Sequence, residues 1–268
     1  MDRIVNKIKL FTNNNEKSMK IAKKVIKQLK NSNFEIVDDN YDLGIAIGGD
    51  GSFLRMVKNN HFNSDIYYIG INAGTLGFLQ EVRPEDSLNF VEKLNINDFK
   101  IDEIGIQQTS VSTTESTSNF YSLNEIVIRE KDLNTADLTI KIDDVELEKF
   151  VGDGILIATS VGSTAYNLSF GGSIVYNTLH TLQITPIAPL NSKAYRDLLN
   201  SIIIPETKVI SLIPSKERSN LLISVDGENN VYDGVICIKT LVDGKRIKCL
   251  RMANYDFSRI VNEKFLKD

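Results

Sequence analysis

The sequence predicts an α/β N-terminal domain, with a parallel sheet and flanking helices, followed by an all-β-rich C-terminal domain. Over residues 1–100, short apolar runs of strand type alternate with segments of helical spacing. This alternation is typical of a parallel sheet wrapped by helices. Over residues 101–252, β-branched residues with two-residue periodicity dominate, which indicates a mostly β domain. Residues 256–266 return to helical spacing, and the segment 253–268 can fold back onto the first domain.

Strands and helices alternate through the N-terminal half. The short apolar runs predict strands at residues 4–11, 34–37, 43–47 and 66–72. Helical spacing predicts an amphipathic helix at 16–31, a second helix at 52–59 that Ser52 would cap, and a third that starts at Pro84.

The C-terminal half carries turn signals between its apolar runs. Asp243-Gly244 predicts a hairpin, and the Ser/Thr-rich segment 109–118 predicts a hairpin tip or a mobile loop. Helical patterns are confined to residues 163–169 and 194–200, until residues 256–266 predict a final helix.

The composition is that of an ordinary globular protein. The 268 residues include 42% hydrophobic and 25% charged residues, and the net charge is −4. Overall charge therefore does not favour nucleic acid or an acidic membrane as a partner. No apolar run approaches the roughly 18–20 residues of a membrane span, and the N-terminus has no apolar core of signal-peptide length. We predict a cytoplasmic protein without nucleic-acid or membrane partners.

Cysteines and histidines are few and scattered. Cys237 and Cys249 form no C-x-x-C motif, and we expect both to be reduced thiols. His61 and His180 lie far apart without neighbouring Cys or His residues, so no protein-bound structural metal is expected. Neither histidine lies near a serine elbow, which disfavours a Ser-His-Asp hydrolase.

The most informative segment is the apolar run 43–47, which is followed at once by Gly48-Gly49-Asp50-Gly51 and then by a helical pattern. A strand, a glycine turn and a helix in this order suit phosphate binding. A carboxylate repels phosphate, so the presence of Asp50 in a phosphate-binding loop needs a chemical explanation. Interaction with a hydroxyl group or a metal ion beside the phosphate would provide one. The alternative is a tight turn with an exposed aspartate.

Two further clusters lie in or directly after apolar runs. The segment 70–79 contains Asn72, Gly74 and Phe78, and it falls where open α/β folds place ligands; a tightly packed loop is a strong alternative. Asn124 and Glu125 interrupt an apolar run. Such a pair can grip adjacent ribose hydroxyls, although an outward-facing pair on a half-exposed strand is the commoner case.

The last two motifs lie in the predicted β domain. Asp153 stands in the acidic turn Gly-Asp-Gly, before a buried run and a Gly-Ser-Thr turn that leads into a short helix. The small hydrogen-bonding groups of that segment suit a nucleotide base, and Tyr166 can pack against it. Asp226-Gly227-Glu228 taken alone is a hairpin turn.

In this order, the five motifs resemble those of the NAD kinase family, and the resemblance spans roughly residues 43–230. The Gly-Gly-Asp-Gly loop alone is less specific, because lipid kinases of the diacylglycerol kinase type and phosphofructokinases carry similar loops. The Asn124-Glu125 pair and the segment 162–169 make the match specific.

The resemblance implies a fold of two domains with the active site in the interdomain cleft. It implies a nucleotide-binding domain at 1–100, an NAD-binding domain at 101–252, and a homodimer or homotetramer. The implied reaction transfers the γ-phosphoryl of ATP, with Mg2+, to the 2′-hydroxyl of the adenosine ribose of NAD. Asp50 matches the residue that is the family's proposed proton acceptor in this reaction. Residues that match the substrate and nucleotide site are Gly48, Gly49, Asp50, Gly51, Arg55, Asn72, Gly74, Phe78, Asn124, Glu125, Asp153, Thr164, Ala165, Tyr166, Asn167, Leu168, Ser169, Ala188 and Glu228.

Departures from the family pattern and rival functions remain. Val151 stands where many members have a basic residue, Ser160 replaces a usual proline, and Leu190 replaces a frequent histidine. A lipid or small-alcohol kinase could use the same glycine loop, but it has less use for the Asn-Glu pair. A non-catalytic NAD-sensing module would use Asp50 only to orient the ribose.

Overall fold

The computed structural model describes residues 3–74, 77–132, 134–192, 196–215 and 220–267. The chain forms two compact units, one made of Met1–Ile104 with Arg246–Asp268 and the other of Gly105–Lys245. None of the helices in these described stretches combines the length and the apolar character that crossing a membrane requires.

The described chain contains five α-helices and sixteen strands. The helices are α1 (Glu16–Asn31), α2 (Asp50–Asn59), α3 (Ser87–Asn95), α4 (Tyr166–Ser169) and α5 (Phe257–Phe265). The strands are β1 (Lys7–Thr12), β2 (Glu35–Ile36), β3 (Leu43–Gly48), β4 (Tyr67–Asn72), β5 (Phe99–Thr113), β6 (Thr117–Ser122), β7 (Glu125–Glu130), β8 (Ala136–Ile142), β9 (Val145–Gly152), β10 (Gly154–Thr159), β11 (Thr181–Ile187), β12 (Ile202–Pro205), β13 (Ile210–Pro214), β14 (Leu221–Val225), β15 (Glu228–Tyr232) and β16 (Val235–Met252).

The first unit contains a parallel sheet with the strand order β2-β1-β3-β4, beside which the end of β16 also runs parallel. All six residues of β3 are buried, as expected for a central strand of a parallel sheet. Helix α1 has the predicted bounds, and the side chain of Asn15 caps it by accepting the N–H of Ser18 at 2.9 Å. The predicted α/β architecture is confirmed.

Two predicted helix starts in this unit are wrong. Helix α2 begins at Asp50, with Gly49 as its N-cap in an extended conformation, so Ser52 lies inside the first turn and is buried. Helix α3 begins at Ser87 rather than at Pro84. The proline belongs to a turn that the N–H of Asp86 closes on the carbonyl of Arg83 at 3.0 Å, and proline is favoured at that position of a turn.

The second unit is built of antiparallel strands, so the β-rich C-terminal architecture is confirmed. One sheet has the order β12-β11-β10-β7-β14-β15, and a second set runs β16-β13-β8-β9, with β6 paired to β5. A shared core contains Ile128 and Ile155 from the first sheet and Leu138 and Phe150 from the second set. Strands β14 and β15 join through Asp226 and Gly227, whose φ values of 46° and 84° match the tight turn that suits a two-residue hairpin.

The other turn and helix predictions of this unit had mixed outcomes. The Asp243-Gly244 hairpin is wrong, because β16 runs through it: the first part of the strand pairs with β13 and the last part with β4. Gly244 has φ 69°, so it accommodates an irregularity within one strand. The segment 109–118 is the β5–β6 hairpin, as expected. The segment 163–169 is helical, whereas 194–195 lie outside the described residues and 196–200 contain no helix.

Candidate active site

Asp50 is the first residue of α2, directly after the turn that follows β3. Its two carboxylate oxygens accept backbone N–H groups on one neighbouring segment: Oδ2 from Phe78 at 3.0 Å and Oδ1 from Leu79 at 2.9 Å. A Cβ on Gly77 would lie less than 3.0 Å from Oδ1, so only glycine lets this segment approach the carboxylate. The side chain of Asp50 remains 29% exposed, and its orientation is therefore fixed while solvent still reaches it.

The rest of the glycine loop surrounds the N-terminus of α2. The carbonyl of Gly49 accepts a hydrogen bond from the side-chain amide of Gln80 at 2.8 Å. In the loop, Gly48 precedes Gly49, and Gly51 follows Asp50. The guanidinium of Arg55 lies on the same helix and bonds to the side-chain oxygen of Asn13 at 2.7 Å. A helix N-terminus and a nearby guanidinium both favour an anion.

The segment after β4 lies beside this loop. Asn72 is buried, and its side-chain oxygen accepts the N–H of Gly74 at 2.6 Å. The N–H of Ala73 bonds to the carbonyl of Gly48 at 3.0 Å, which joins the two predicted glycine segments. Phe78 is buried, so it contributes its backbone N–H to Asp50 rather than an exposed ring.

In the second unit, the Asn124-Glu125 pair is held by Asp226. The carboxylate of Asp226 accepts the N–H groups of Leu123 at 2.9 Å, Asn124 at 2.8 Å and Glu125 at 3.3 Å. The sequence identified Asp226 only as part of a turn. The sequence offered one signal that Asp226 holds the Asn124-Glu125 backbone. It lies two residues before Glu228 of the motif, and aspartate tolerates the left-handed conformation of a tight turn.

Glu125 is buried, and its Oε2 has no hydrogen-bond partner among the described residues. Burial, together with the nearby charge of Asp226, raises the pKa of the Glu125 carboxyl from 4.5 to about 8, although the backbone N–H of Tyr166 acts in the opposite direction. A carboxyl in this environment is mostly protonated at neutral pH, so it can donate a hydrogen bond as well as accept one.

The segment 161–169 packs against the Asn124-Glu125 pair. A 3-10 turn (Val161–Thr164) precedes α4. A Cβ on Gly162 would lie less than 3.0 Å from the carbonyl of Asn124, so this glycine permits the close approach. Tyr166 and Ser169 are exposed, and Thr164, Ala165 and Leu168 are partly buried.

Asn167 differs from its neighbours because it is fully buried. Its amide nitrogen donates to the carbonyl of Ser163 at 3.3 Å and to Gln183 at 3.1 Å, and its oxygen accepts the hydroxyl of Thr185 at 2.6 Å. These bonds occupy the side chain. Asn167 therefore fixes the shape of the segment rather than presenting a polar group at its surface.

The remaining predicted residues lie at turns of the second unit. Asp153 is exposed between β9 and β10, and its N–H bonds to the carbonyl of Ile187 at 2.9 Å. Ala188, which follows Ile187, is exposed and has φ 44°. This conformation is uncommon outside glycine and is enriched at functional sites. Asp153 and Ala188 are thus brought together, and Glu228 lies exposed at the start of β15.

The three departures from the family pattern have structural surroundings of their own. Val151 is buried, and its N–H donates to the carboxylate of Asp197 at 3.0 Å. Its carbonyl accepts the N–H of Leu190 at 2.8 Å. The Ser160 hydroxyl accepts the N–H of Thr181 at 3.3 Å, a contact that a proline could not make.

Two family models match the chain. The ATP-NAD kinase N-terminal domain matches residues 1–99, and the ATP-NAD kinase C-terminal domain matches residues 123–244. Among curated relatives, the NAD kinase of Finegoldia magna is 39% identical over 236 residues, which cover 85% of this chain and 86% of that protein. The NAD kinase of Leuconostoc mesenteroides is 31% identical over 264 residues, which cover 98% of this chain and 99% of that protein.

Two solved structures share the fold. Yeast NADH kinase complexed with NADH gives a TM-score of 0.83 at 20% identity, covering 97% of this chain and 87% of that chain. An NAD kinase from Archaeoglobus fulgidus in complex with ATP gives a TM-score of 0.72 at 22% identity, covering 96% of each chain. Since the two matched domains span most of its length, the chain belongs to the NAD kinase family.

Proposed function

We propose that the chain transfers the γ-phosphoryl group of ATP to the 2′-hydroxyl of the adenosine ribose of NAD, yielding NADP and ADP. The observation that carries this proposal is the fixed carboxylate of Asp50 at the first residue of α2, in the glycine turn of an NAD kinase family member. A carboxylate in a phosphate loop is explained when its task is to take a proton from an alcohol.

In the proposed step, Asp50 accepts the proton of the 2′-hydroxyl. The 2′-oxygen forms a bond to the γ-phosphorus, and the bond from this phosphorus to the β–γ bridging oxygen breaks, so that ADP leaves. Phosphoryl transfer depends mostly on positioning and charge stabilisation. The N-terminus of α2, with Gly48, Gly49 and Gly51, and the guanidinium of Arg55 are the groups that we assign to the phosphates.

The residues of the second unit are assigned to NAD. Asn124 and Glu125 bind the ribose hydroxyls, and the raised pKa of Glu125 supports a role as a hydrogen-bond donor. The segment 164–169 surrounds the adenine, with the exposed ring of Tyr166 as its packing surface. Asp153 lies at the nicotinamide end. Further proposed contacts with the substrates are Asn72, Gly74 and Phe78 of the first unit, and Ala188 and Glu228 of the second.

Magnesium is proposed to arrive as part of the ATP substrate. Among the described residues, no group of three or more His, Cys, Asp or Glu side chains is arranged to hold a metal ion. Triphosphate oxygens are natural ligands for Mg2+, which commonly binds through substrate phosphates with few protein ligands. The ion would offset phosphate charge during transfer.

The test is incubation of the purified chain with NAD, ATP and Mg2+, with NADP measured through an NADP-specific dehydrogenase. Parallel reactions replace NAD by NADH, NAD by diacylglycerol, or ATP by polyphosphate, so the acceptor and donor are identified together. NADP formation from ATP and NAD is expected. Phosphorylated lipid without NADP would favour a lipid kinase, and NAD binding without any NADP would favour a sensing module.

We also propose a cytoplasmic homodimer or homotetramer, on the basis of family membership. Cys237 and Cys249 are both free thiols, which agrees with a reducing compartment. Light scattering coupled to size-exclusion chromatography would measure the mass directly, and a monomer at assay concentration would contradict the oligomer.

A further inference from the structure

The last helix of the chain places a cation beside the glycine loop. Lys264, near the end of α5, has its Nζ 3.8 Å from Oδ2 of Asp50, and its side chain is 32% exposed. The same ammonium lies 5.1 Å from the centre of the Phe78 ring. Asp50 is thus contacted from two directions: by the N–H groups of Phe78 and Leu79, and by a lysine from a segment more than 200 residues later.

Helix α5 is firmly docked on the segment that holds Asp50. The ring of Phe78 packs against Phe257 at 5.8 Å and against Phe265 at 5.6 Å between ring centres. Helix α5 starts at a side-chain cap, since the carboxylate of Asp256 accepts the N–H of Arg259 at 2.9 Å. A capped helix with aromatic contacts at both ends restricts where Lys264 can reach.

Ion pairs add a second attachment between the C-terminal segment and residues 81–83. Glu81 accepts the N–H of Met252 and lies 3.5 Å from the guanidinium of Arg251. Arg83 pairs with Glu263, the residue before Lys264. The C-terminal segment therefore contacts both ends of the stretch 78–83, whose first residue bonds to Asp50.

We propose that Lys264 is a positioning residue for phosphoryl transfer, whose ammonium orients the Asp50 carboxylate and offsets its repulsion of the incoming phosphoryl group. This inference rests on the proposed function. It resolves the difficulty that a carboxylate in a phosphate loop repels its own substrate: at about 4 Å an opposite charge interacts appreciably, and partial burial strengthens the interaction.

The principal test compares two substitutions of Lys264. Lys264→Met keeps a side chain of similar length but removes its charge, whereas Lys264→Arg keeps a cation at this position. We expect Lys264→Met to lower kcat roughly ten- to hundredfold while the KM values for NAD and ATP change less than about threefold, because the effect acts on the transfer step. Lys264→Arg should recover most of the activity. The matched control is Lys267→Met, the same charge change at an exposed position in the same C-terminal segment, and it should retain wild-type kcat.

A double-mutant cycle with Asp50→Asn tests whether Lys264 acts through Asp50. With the carboxylate already neutral, adding Lys264→Met should cause little further loss of NADP formation, measured over long incubations. Wild-type kcat in Lys264→Met, or the same fold loss in both backgrounds, would overturn the inference. If the Met variant does not fold, Lys264→Gln is read against the same criteria. A wild-type chain that makes no NADP would instead remove the proposed function.

Discussion

The Oδ1 atom of Asp226 accepts the backbone N–H of Asn124 at 2.8 Å, although the two residues are 102 positions apart in sequence. Because the same carboxylate also accepts the N–H groups of Leu123 and Glu125, it fixes the backbone from which the proposed ribose-binding side chains project. Asp226 adopts φ 46° in its turn, a conformation that aspartate tolerates better than most residues. One residue therefore satisfies both the hairpin and the neighbouring loop.

Asp226→Asn should retain the turn but lose one acceptor, since an amide nitrogen would face backbone N–H groups. We expect the free energy of unfolding to fall by about 1–3 kcal/mol and the KM for NAD to rise several-fold, with kcat changed less. Urea unfolding and initial rates measure these effects. Asp143→Asn is the matched control, because Asp143 occupies a similar turn with φ 49° and accepts the N–H of Val209 at 3.0 Å; it should leave KM unchanged. An unchanged KM in Asp226→Asn would separate this carboxylate from NAD binding.

Glu125 predicts a loss of stability as pH rises. Burial raises its pKa from 4.5 to about 8, so between these values the folded chain holds a proton that the unfolded chain has released. The contribution of Glu125 is fully present below pH 4.5 and declines until about pH 8, at up to about 1.4 kcal/mol per pH unit.

The variant Glu125→Gln removes this titration, so its free energy of unfolding should depend less on pH between 5 and 8 than that of the wild type. Urea unfolding at several pH values measures the difference. Glu81 also has a raised pKa, about 7, and contributes with the same sign, so the wild-type curve alone is not decisive. Glu115→Gln, at an exposed hairpin tip, should reproduce the wild-type curve. Parallel curves for Glu125→Gln and wild type would disprove a strongly raised pKa.

The periodic elements of the fold were predictable because burial imposes a period on them. Helix α1 begins and ends where its amphipathic spacing does, and β3 is buried along the whole of its apolar run. The boundaries of elements near glycine and proline could not be predicted in the same way, because turns, helix caps and irregular strands all use these residues. Gly49 replaces Ser52 as the cap of α2, and the Asp243-Gly244 dipeptide lies within β16, where pairing with other strands outweighs the preference for a turn.

The site was predictable only where a motif is contiguous. The sequence brought attention to Asp50 and to Asn124-Glu125, but the groups that orient them come from distant segments: Lys264 from the final helix and Asp226 from a hairpin. Asn167 lies within a motif, and only the structure shows that its amide is occupied by Ser163, Gln183 and Thr185. Spacing along the chain carries no information about such long-range partners.

Asp50→Asn should lower kcat by roughly 10²–10⁴-fold, the usual contribution of a general base. The structure adds a cost that the motif did not reveal, because the Asn amide would face the N–H of either Phe78 or Leu79. A loss of about 1–3 kcal/mol in the free energy of unfolding is therefore expected as well. Single-turnover rates and urea unfolding measure the two effects separately. Wild-type turnover in a folded Asp50→Asn variant would remove Asp50 from the role of proton acceptor.

Gly77→Ala tests the geometry around Asp50 without changing any charge. The added Cβ would lie less than 3.0 Å from Oδ1, so either the carboxylate or the segment 77–79 must move. Because a displacement of about 1 Å can cost roughly 10²-fold in rate, we expect kcat to fall by one to two orders of magnitude while KM changes little.

Gly244→Ala separates this effect from a general loss of stability. Gly244 has φ 69° and open space around its missing Cβ, so alanine should strain the backbone by about 1 kcal/mol and leave kcat unaltered. In the Asp50→Asn background, where the proposed base is absent, Gly77→Ala should reduce the residual rate far less than in the wild type, since it acts by moving that carboxylate. Equal fold losses in the two backgrounds would mean that Gly77 serves the substrate directly, and the Asp50–Gly77 contact would then be a packing feature alone.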